Sequence, residues 1–192
     1  MKQIGILIVL QLIVSMQNVI PKMEKTKEIL IEDFNPANHL NWEVINDGVM
    51  GGISESNFQI QTDRTAIFSG RVSLENNGGF ASVRASLTEP VSGNFEKILI
   101  RVKGDGKTYS LRIRTDQNVD GVAYACSFST KKEEWTTHEF SPAEFVPTFR
   151  GRTLSNVPPL KDLKISHIGF LISAKQSGSF WLSIDWIKII LL

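Results

Sequence analysis

A single cysteine in 192 residues, Cys126, means that no internal disulfide can form and no zinc site can be built on several thiolates. Cys126 falls in the period-two apolar series Val122, Tyr124, Cys126, Phe128. With no neighbouring histidine or cation cluster to lower its pKa, it reads as a small buried hydrophobe and not as a reactive thiol. Histidine is nearly as scarce. His39, His138 and His167 stand far apart and form no i, i+4 pair of the kind that holds zinc on a helix. His138 and His167 lie in strand-like runs and read as hydrogen-bonded structural residues. Neither sign of charge prevails: 21 Lys and Arg oppose 20 Asp and Glu, a net charge of +1. No global field draws nucleic acid or an anionic bilayer, and nucleic acid is not expected as a partner.

Catalytic signatures are also missing. The stretch Gly51-Gly52-Ile53-Ser54-Glu55-Ser56 departs from the nucleophile elbow G-x-S-x-G, because Ser56 stands where its last glycine belongs. Gly104-Asp105-Gly106-Lys107-Thr108 ends like a phosphate loop, but Arg101 occupies the place of that motif's first glycine and a strand pattern follows, so it reads as a hairpin turn. No G-x-G-x-x-G spacing and no EF-hand spacing occurs around Asp105, Asp116 and Asp120. The sequence therefore nominates no catalytic residue, no metal site and no cofactor, and the chain is expected not to be an enzyme.

What the sequence does contain is alternation. Phe68, Gly70, Val72 and Leu74 interleave with Ser69, Arg71 and Ser73; Tyr109, Leu111 and Ile113 with Ser110, Arg112 and Arg114; Phe180, Leu182, Ile184 and Trp186 with Trp181, Ser183 and Asp185. Period two means strands. Turn chemistry separates them in the segments ENNGG, EPVSGN, KGDGK, DQNVDG and KQSGS. About ten antiparallel strands are expected, with one helix-like turn at Ser141–Val146 and almost no other helix. Many short strands without helical crossovers imply an all-β jelly-roll sandwich.

The composition, 42% hydrophobic and 21% charged, belongs to a soluble globular chain, and the length suits one domain. Three segments are expected. Residues 1–20 carry an apolar run from Ile4 to Val14, which fits a secretory signal or an uncleaved anchor. Residues 21–28 form a charged joint, and residues 29–190 form the sandwich. That leader implies an exported or membrane-anchored protein whose membrane contact runs through the N-terminal segment alone.

Alternation also assigns faces. Arg71, Arg84, Arg101, Arg112 and Arg114 project from the polar sides of their strands, where a row of like charges calls for an answer. Either Glu, Asp and water supply it on an outer face, or some of these arginines, with Asp47 or Asp105, engage a carboxylate, a sugar or an acidic segment of a partner.

The segments WEVINDGVMGGISES, AIFSGRVSLENNGGFASVRASL, VKGDGKTYSLRIRT, FVPTFRGR and SGSFWLSIDWIKI, in this order from Trp42 to Ile187, resemble the complex I intermediate-associated protein 30 family. The resemblance implies a galactose-binding-like jelly-roll domain and a non-enzymatic assembly factor or chaperone for respiratory NADH dehydrogenase, binding unassembled protein subunits. The implied partners are proteins, including subunits of a membrane complex, and the location is with that complex. Motif and polar-face positions together give the candidate binding residues Asp47, Met50, Gly51, Gly52, Ser54, Arg84, Asp105, Arg112, Arg114, Arg150 and Arg152. The alternative is an exported carbohydrate-binding module that stacks sugar faces on Trp135 and Trp181.

Overall fold

The computed structural model describes residues 26–116 and 121–192. The expected leader lies outside them, and the alternating segments become strands, with Leu74 falling just beyond β4 and Val122 just before β8. In chain order these are β1 (Lys27–Glu32), β2 (Trp42–Asn46), β3 (Glu55–Ile60), β4 (Ala66–Val72), β5 (Ala81–Val91), β6 (Phe95–Gly104) and β7 (Thr108–Arg114). There follow β8 (Ala123–Ser129), β9 (Thr136–Phe140), β10 (Val146–Phe149), β11 (Arg152–Thr153), β12 (Ile165–Ile172) and β13 (Gly178–Leu191). Strands as short as β10 and β11 offer too few residues for alternation to reveal, which is why the expected number fell short. No α-helix occurs among the described residues; the anticipated turn at Ser141 is a 3-10 turn, Pro142–Glu144, whose Glu144 carboxylate accepts the Ser141 N–H at 2.6 Å.

Two antiparallel sheets face each other. One runs β3-β4-β13-β6-β9, with β1 pairing the length of β13 that β4 leaves open. The other runs β11-β10-β8-β7-β12-β5-β2. Apolar alternates from both fill the space between, among them Phe68, Ile98, Ile100, Val102, Leu111, Ile113, Phe170, Leu182 and Ile184, all essentially inaccessible to solvent. Phe68 and Phe180 meet edge to face at 4.9 Å between ring centroids, a geometry favoured by the ring quadrupoles. Cys126 packs against this core, and burial raises its thiol pKa.

The turn Gly104–Lys107 is not the hairpin that its sequence suggests. It carries the chain from β6 in one sheet to β7 in the other, as do the turns between β4 and β5, β5 and β6, and β12 and β13. Alternation fixes which side of a strand is buried and is silent on its neighbour, so hairpins and sheet crossings look alike in sequence.

The first crossing, from β1 to β2, closes on a buried carboxylate. Glu32 Oε1 accepts the N–H groups of Asp33 (3.0 Å) and Phe34 (2.8 Å), while Oε2 accepts those of Leu40 (2.8 Å) and the Trp42 indole (3.0 Å). Phe34, in a left-handed conformation (φ 52°), is thereby set against Trp42 and Phe58. Replacing Glu32→Ala leaves buried donors without acceptors and should lower stability by about 3 kcal/mol, or roughly 6–12 °C in a domain of this size. Thermal unfolding of the variant checks this, and an unchanged midpoint would contradict the role assigned to Glu32.

Candidate binding face

The glycine-rich stretch after β2 is a closed corner. Asp47 is fully buried at the head of a 3-10 turn, Asp47–Met50. Its Oδ1 accepts the Ser54 N–H at 2.9 Å. Its Oδ2 accepts the Ser54 hydroxyl at 2.6 Å and the N–H groups of Gly79 and Phe80 at 2.6 and 3.2 Å. Burial by itself would raise the Asp47 pKa, but these bonds outweigh it and hold the carboxyl below its ordinary value. One carboxylate so ties the β2–β3 turn to the β4–β5 turn. The glycines make room for it, since a Cβ would lie 2.4 Å from the carboxylate at Gly52 and 2.6 Å at Gly78. Gly51 takes the left-handed cap, with φ 89°. Beyond this corner the turns expose apolar side chains: Val49 is 76% exposed, Met50 60%, Ile53 51% and Leu74 45%.

Asp105 anchors the β6–β7 turn in a similar way. Its Oδ1 accepts the Lys107 N–H and the Tyr109 hydroxyl, both at 3.0 Å, and its Oδ2 accepts the Trp181 N–H at 3.3 Å. Burial and the adjoining carboxylate push the Tyr109 phenol far above its ordinary pKa.

The five polar-face arginines divide between the sheets. Arg71 and Arg101 belong to the six-stranded sheet, where Arg71 stands opposite Glu55 and Arg101 pairs with Asp185. Arg101 and Lys103 also lie over the Trp135 ring, at 5.2 and 5.0 Å from its centroid. Cations therefore occupy a ring that a sugar would need for stacking.

The other three share the outer face of the seven-stranded sheet. Arg84 on β5 and Arg112 on β7 are both register partners of Gly169 on the intervening β12. In the next row, Ser86 and Arg114 flank His167. Gly169 is required by close approach, since a Cβ there would meet the Val83 carbonyl oxygen at 2.4 Å and Arg84 Cβ at 3.0 Å, and the glycine itself is buried in the row between the two arginines. Beside this row lies a cavity of about 250 Å³ lined by Asn41, Glu43, Arg84, Ser86 and His167. Burial, then the charges of Arg114 and Arg84, lower the His167 pKa, so its imidazole is neutral at pH 7. His167 Nδ1 lies 3.0 Å from Ser166 Oγ, and no hydrogen bond joins it to Ser86 among the described residues. The face is rich in hydrogen-bond donors and suits the binding of anionic oxygen. No group of three metal-ligating side chains occurs among the described residues.

Arg150 and Arg152 reach the margin of the same sheet. Arg152 opens β11 opposite Phe149, and on the turn before it Arg150 (φ 47°) and Gly151 (φ 77°) take left-handed conformations, with the Arg150 guanidinium 5.3 Å over the Phe149 ring. The structure thus gathers Arg84, Arg112 and Arg114, sets Arg150 and Arg152 at the sheet edge, and spends Asp47, Ser54 and Asp105 on internal bonds. Sequence reasoning did not single out Glu43, Ser86, Thr148 or Gly169, and it read His167 as structural alone. Strand register brings them to this face, and register was not visible in the sequence.

The family profile described as Complex I intermediate-associated protein 30 matches residues 32–184. The chain belongs to that family. A Mus musculus protein, complex I intermediate-associated protein 30, mitochondrial, is 27% identical over 168 residues, covering 77% of this chain and 51% of the relative. A Caenorhabditis elegans member is 25% identical over 150 residues, covering 68% and 44%. The chain thus spans about half the length of the curated relatives it matches. Among solved structures, the family 11 carbohydrate-binding module of the Clostridium thermocellum cellulase Lic26A-Cel5E superposes with a TM-score of 0.65 at 19% identity, covering 86% of this chain and 95% of that one. The same module in complex with a mixed-linked tetrasaccharide gives 0.60 at 20% identity, covering 84% and 94%. At these identities the likeness establishes the fold, a jelly-roll β-sandwich shared by this member of the complex I intermediate-associated protein 30 family.

The Asp47 corner predicts a specific acid response. A carboxyl whose folded pKa is depressed stabilises the fold fully above its unfolded pKa of about 3.9, and that contribution is lost as pH falls through the folded value. Asp47→Asn should therefore be less stable than wild type at pH 7, with the gap closing below about pH 4. Urea unfolding at pH 7 and pH 3 checks this; stability curves that stay parallel with pH would contradict it.

Proposed function

We propose that the chain is a non-catalytic binding module that acts in assembly of the respiratory NADH dehydrogenase complex, holding incompletely assembled protein subunits. Family membership over residues 32–184 carries this reading. Two features support it: a donor-rich outer face built from Arg84, Arg112 and Arg114, and rigid turns that present Val49, Met50, Ile53 and Leu74 to solvent. Exposed apolar side chains on a fixed scaffold suit contact with another protein. The apolar N-terminal run would keep the module beside membrane-embedded subunits. In the carbohydrate alternative, cations already cover Trp135, which leaves Trp181 as the stacking surface.

Co-purification tests the reading. Tagged wild-type chain should retain NADH dehydrogenase subunits from detergent-solubilised membranes of its source. Reversing charge at Arg84→Glu and Arg114→Glu together should cut that capture about tenfold, in keeping with the cost of like charge at an interface. Capture unaffected in folded variants, or no such subunit retained by the wild type, would contradict the proposal.

A further inference from the structure

At the end of the sandwich where β1 begins, lysines surround a depression. Lys27, the first residue of β1, pairs in register with Leu191 of β13, which pairs in turn with Phe95 at the start of β6. Here the β5–β6 turn and residues 161–164 enclose a shallow cavity of about 440 Å³, lined by Ser92, Gly93, Asn94, Lys161, Leu163 and Lys164. The turn is held in place. Gly93 takes φ 148°, a Cβ there would lie 3.0 Å from the Leu191 side chain, and the Asn94 carbonyl accepts the Leu192 N–H at 2.9 Å. Lys161 and Lys164 are exposed, and neither makes a hydrogen bond or an ion pair among the described residues. Elsewhere Lys97, Lys131 and Lys188 each hold a carboxylate, and Lys107 bonds two carbonyls. Apolar groups stand beside the two free cations: Leu163 is half-buried in the cavity wall, and Leu192 is 48% exposed. Ammonium groups with apolar neighbours suit the headgroup level of a bilayer.

The sequence ahead of β1 points to the same occupant. The apolar run Ile4 to Val14 is joined to Thr26 by residues 15–25, which include Lys22 and Lys25 and span at most about 40 Å when fully extended. β13 is 14 residues long, or roughly 45 Å, and Val49, Met50, Ile53 and Leu74 lie past its other end, where Gly178 pairs with Val72. A membrane that holds the apolar run therefore meets the lysine end first, and the run itself falls short of the apolar corner. We propose that the lysine end docks on an anionic membrane surface, with a lipid phosphate seated between Lys161 and Lys164 over the Ser92-Gly93-Asn94 turn. This inference rests on the reading of the apolar run as membrane-bound. Docked this way, the strands stand upright on the bilayer and the outer face of the seven-stranded sheet turns sideways, toward a neighbouring subunit.

The test floats the full chain with vesicles of phosphatidylcholine alone or with about one-third phosphatidylglycerol, at about 0.1 M salt. The ratio of binding to the two vesicle types cancels whatever the apolar run contributes to both. Lys161→Gln with Lys164→Gln should lower that ratio about tenfold, since each lysine near an anionic surface contributes severalfold. Lys132→Gln with Lys175→Gln removes the same charge from exposed positions at the opposite end, beside Gly104 and ahead of Gly178, and should leave the ratio within about twofold of wild type. All four side chains are exposed, so both double variants should melt with the wild type. No anionic preference in the wild type, an equal loss in both double variants, or a preference that survives Lys161→Gln with Lys164→Gln would each overturn the docking surface. So would release from anionic vesicles by millimolar inorganic phosphate at constant ionic strength, which would make the cavity a site for free phosphate. Anionic preference without co-purification of NADH dehydrogenase subunits would overturn the assembly role and leave the docking surface standing. Co-purification without the preference would do the reverse.

Discussion

Wherever the chain leaves one sheet for the other it strands backbone N–H groups that neither ladder can pair, and a buried, unpaired amide costs about as much as a lost hydrogen bond. Three carboxylates meet this constraint at four of the crossings. Glu32 closes the passage from β1 to β2; Asp47 closes those from β2 to β3 and from β4 to β5 together; Asp105 joins the β6–β7 turn to β13 through the Trp181 N–H. Thr130 adds a neutral version, its hydroxyl accepting the Gly106 N–H at 3.0 Å. Without these acceptors the apolar faces of the two sheets could still pack, but the turns that aim the strands would be free to rearrange.

This arrangement separates architecture from recognition. Carboxylates at the corners are engaged by internal donors, so they are poor candidates for meeting a ligand even though Asp47 and Asp105 sit in segments that carry the family resemblance. The guanidinium groups of the seven-stranded sheet lie on a regular, rigid surface instead. Sites carried on strands hold their geometry better than sites on loops, and the pairing of β5, β12 and β7 sets the spacing between Arg84 and Arg112. The glycine at position 169 follows from the approach of β12 to β5, so a packing requirement sets which residue separates Arg84 from Arg112 in the row.

Much of the fold was legible because alternation reports burial directly. Phe68 to Val72, Tyr109 to Arg114 and Phe180 to Ile184 each revealed a strand and its buried side, whereas Leu74 falls beyond β4 and is exposed, and a register shift after Ile184 buries Ile187 in place of Trp186. The site was only partly legible. Alternation showed that Arg84, Arg112 and Arg114 point outward. It could not show that β12, more than 50 residues after β7, inserts between β5 and β7 and brings the three together. Nor could it separate Arg71 and Arg101, which belong to the other sheet. At the Asp47 corner, a bend whose residues also stand among the candidate binding positions, turn glycines look alike in sequence whether they admit a ligand or, as at Gly52 and Gly78, an internal carboxylate. Glu32 gave no signal at all, since its partners Leu40 and Trp42 reach it only after the intervening loop has folded back.

In the proposed complex the partner lies across the outer face of β5, β12 and β7, and the corner carboxylates stay internal. Arginine side-chain NMR, recorded with and without captured NADH dehydrogenase subunits, reads this most directly. The guanidinium signals of Arg84, Arg112 and Arg114 should shift on capture, while those of Arg71 and Arg101 on the other sheet stay in place. Shifts confined to Arg71 and Arg101, or none on the seven-stranded sheet, would contradict this arrangement.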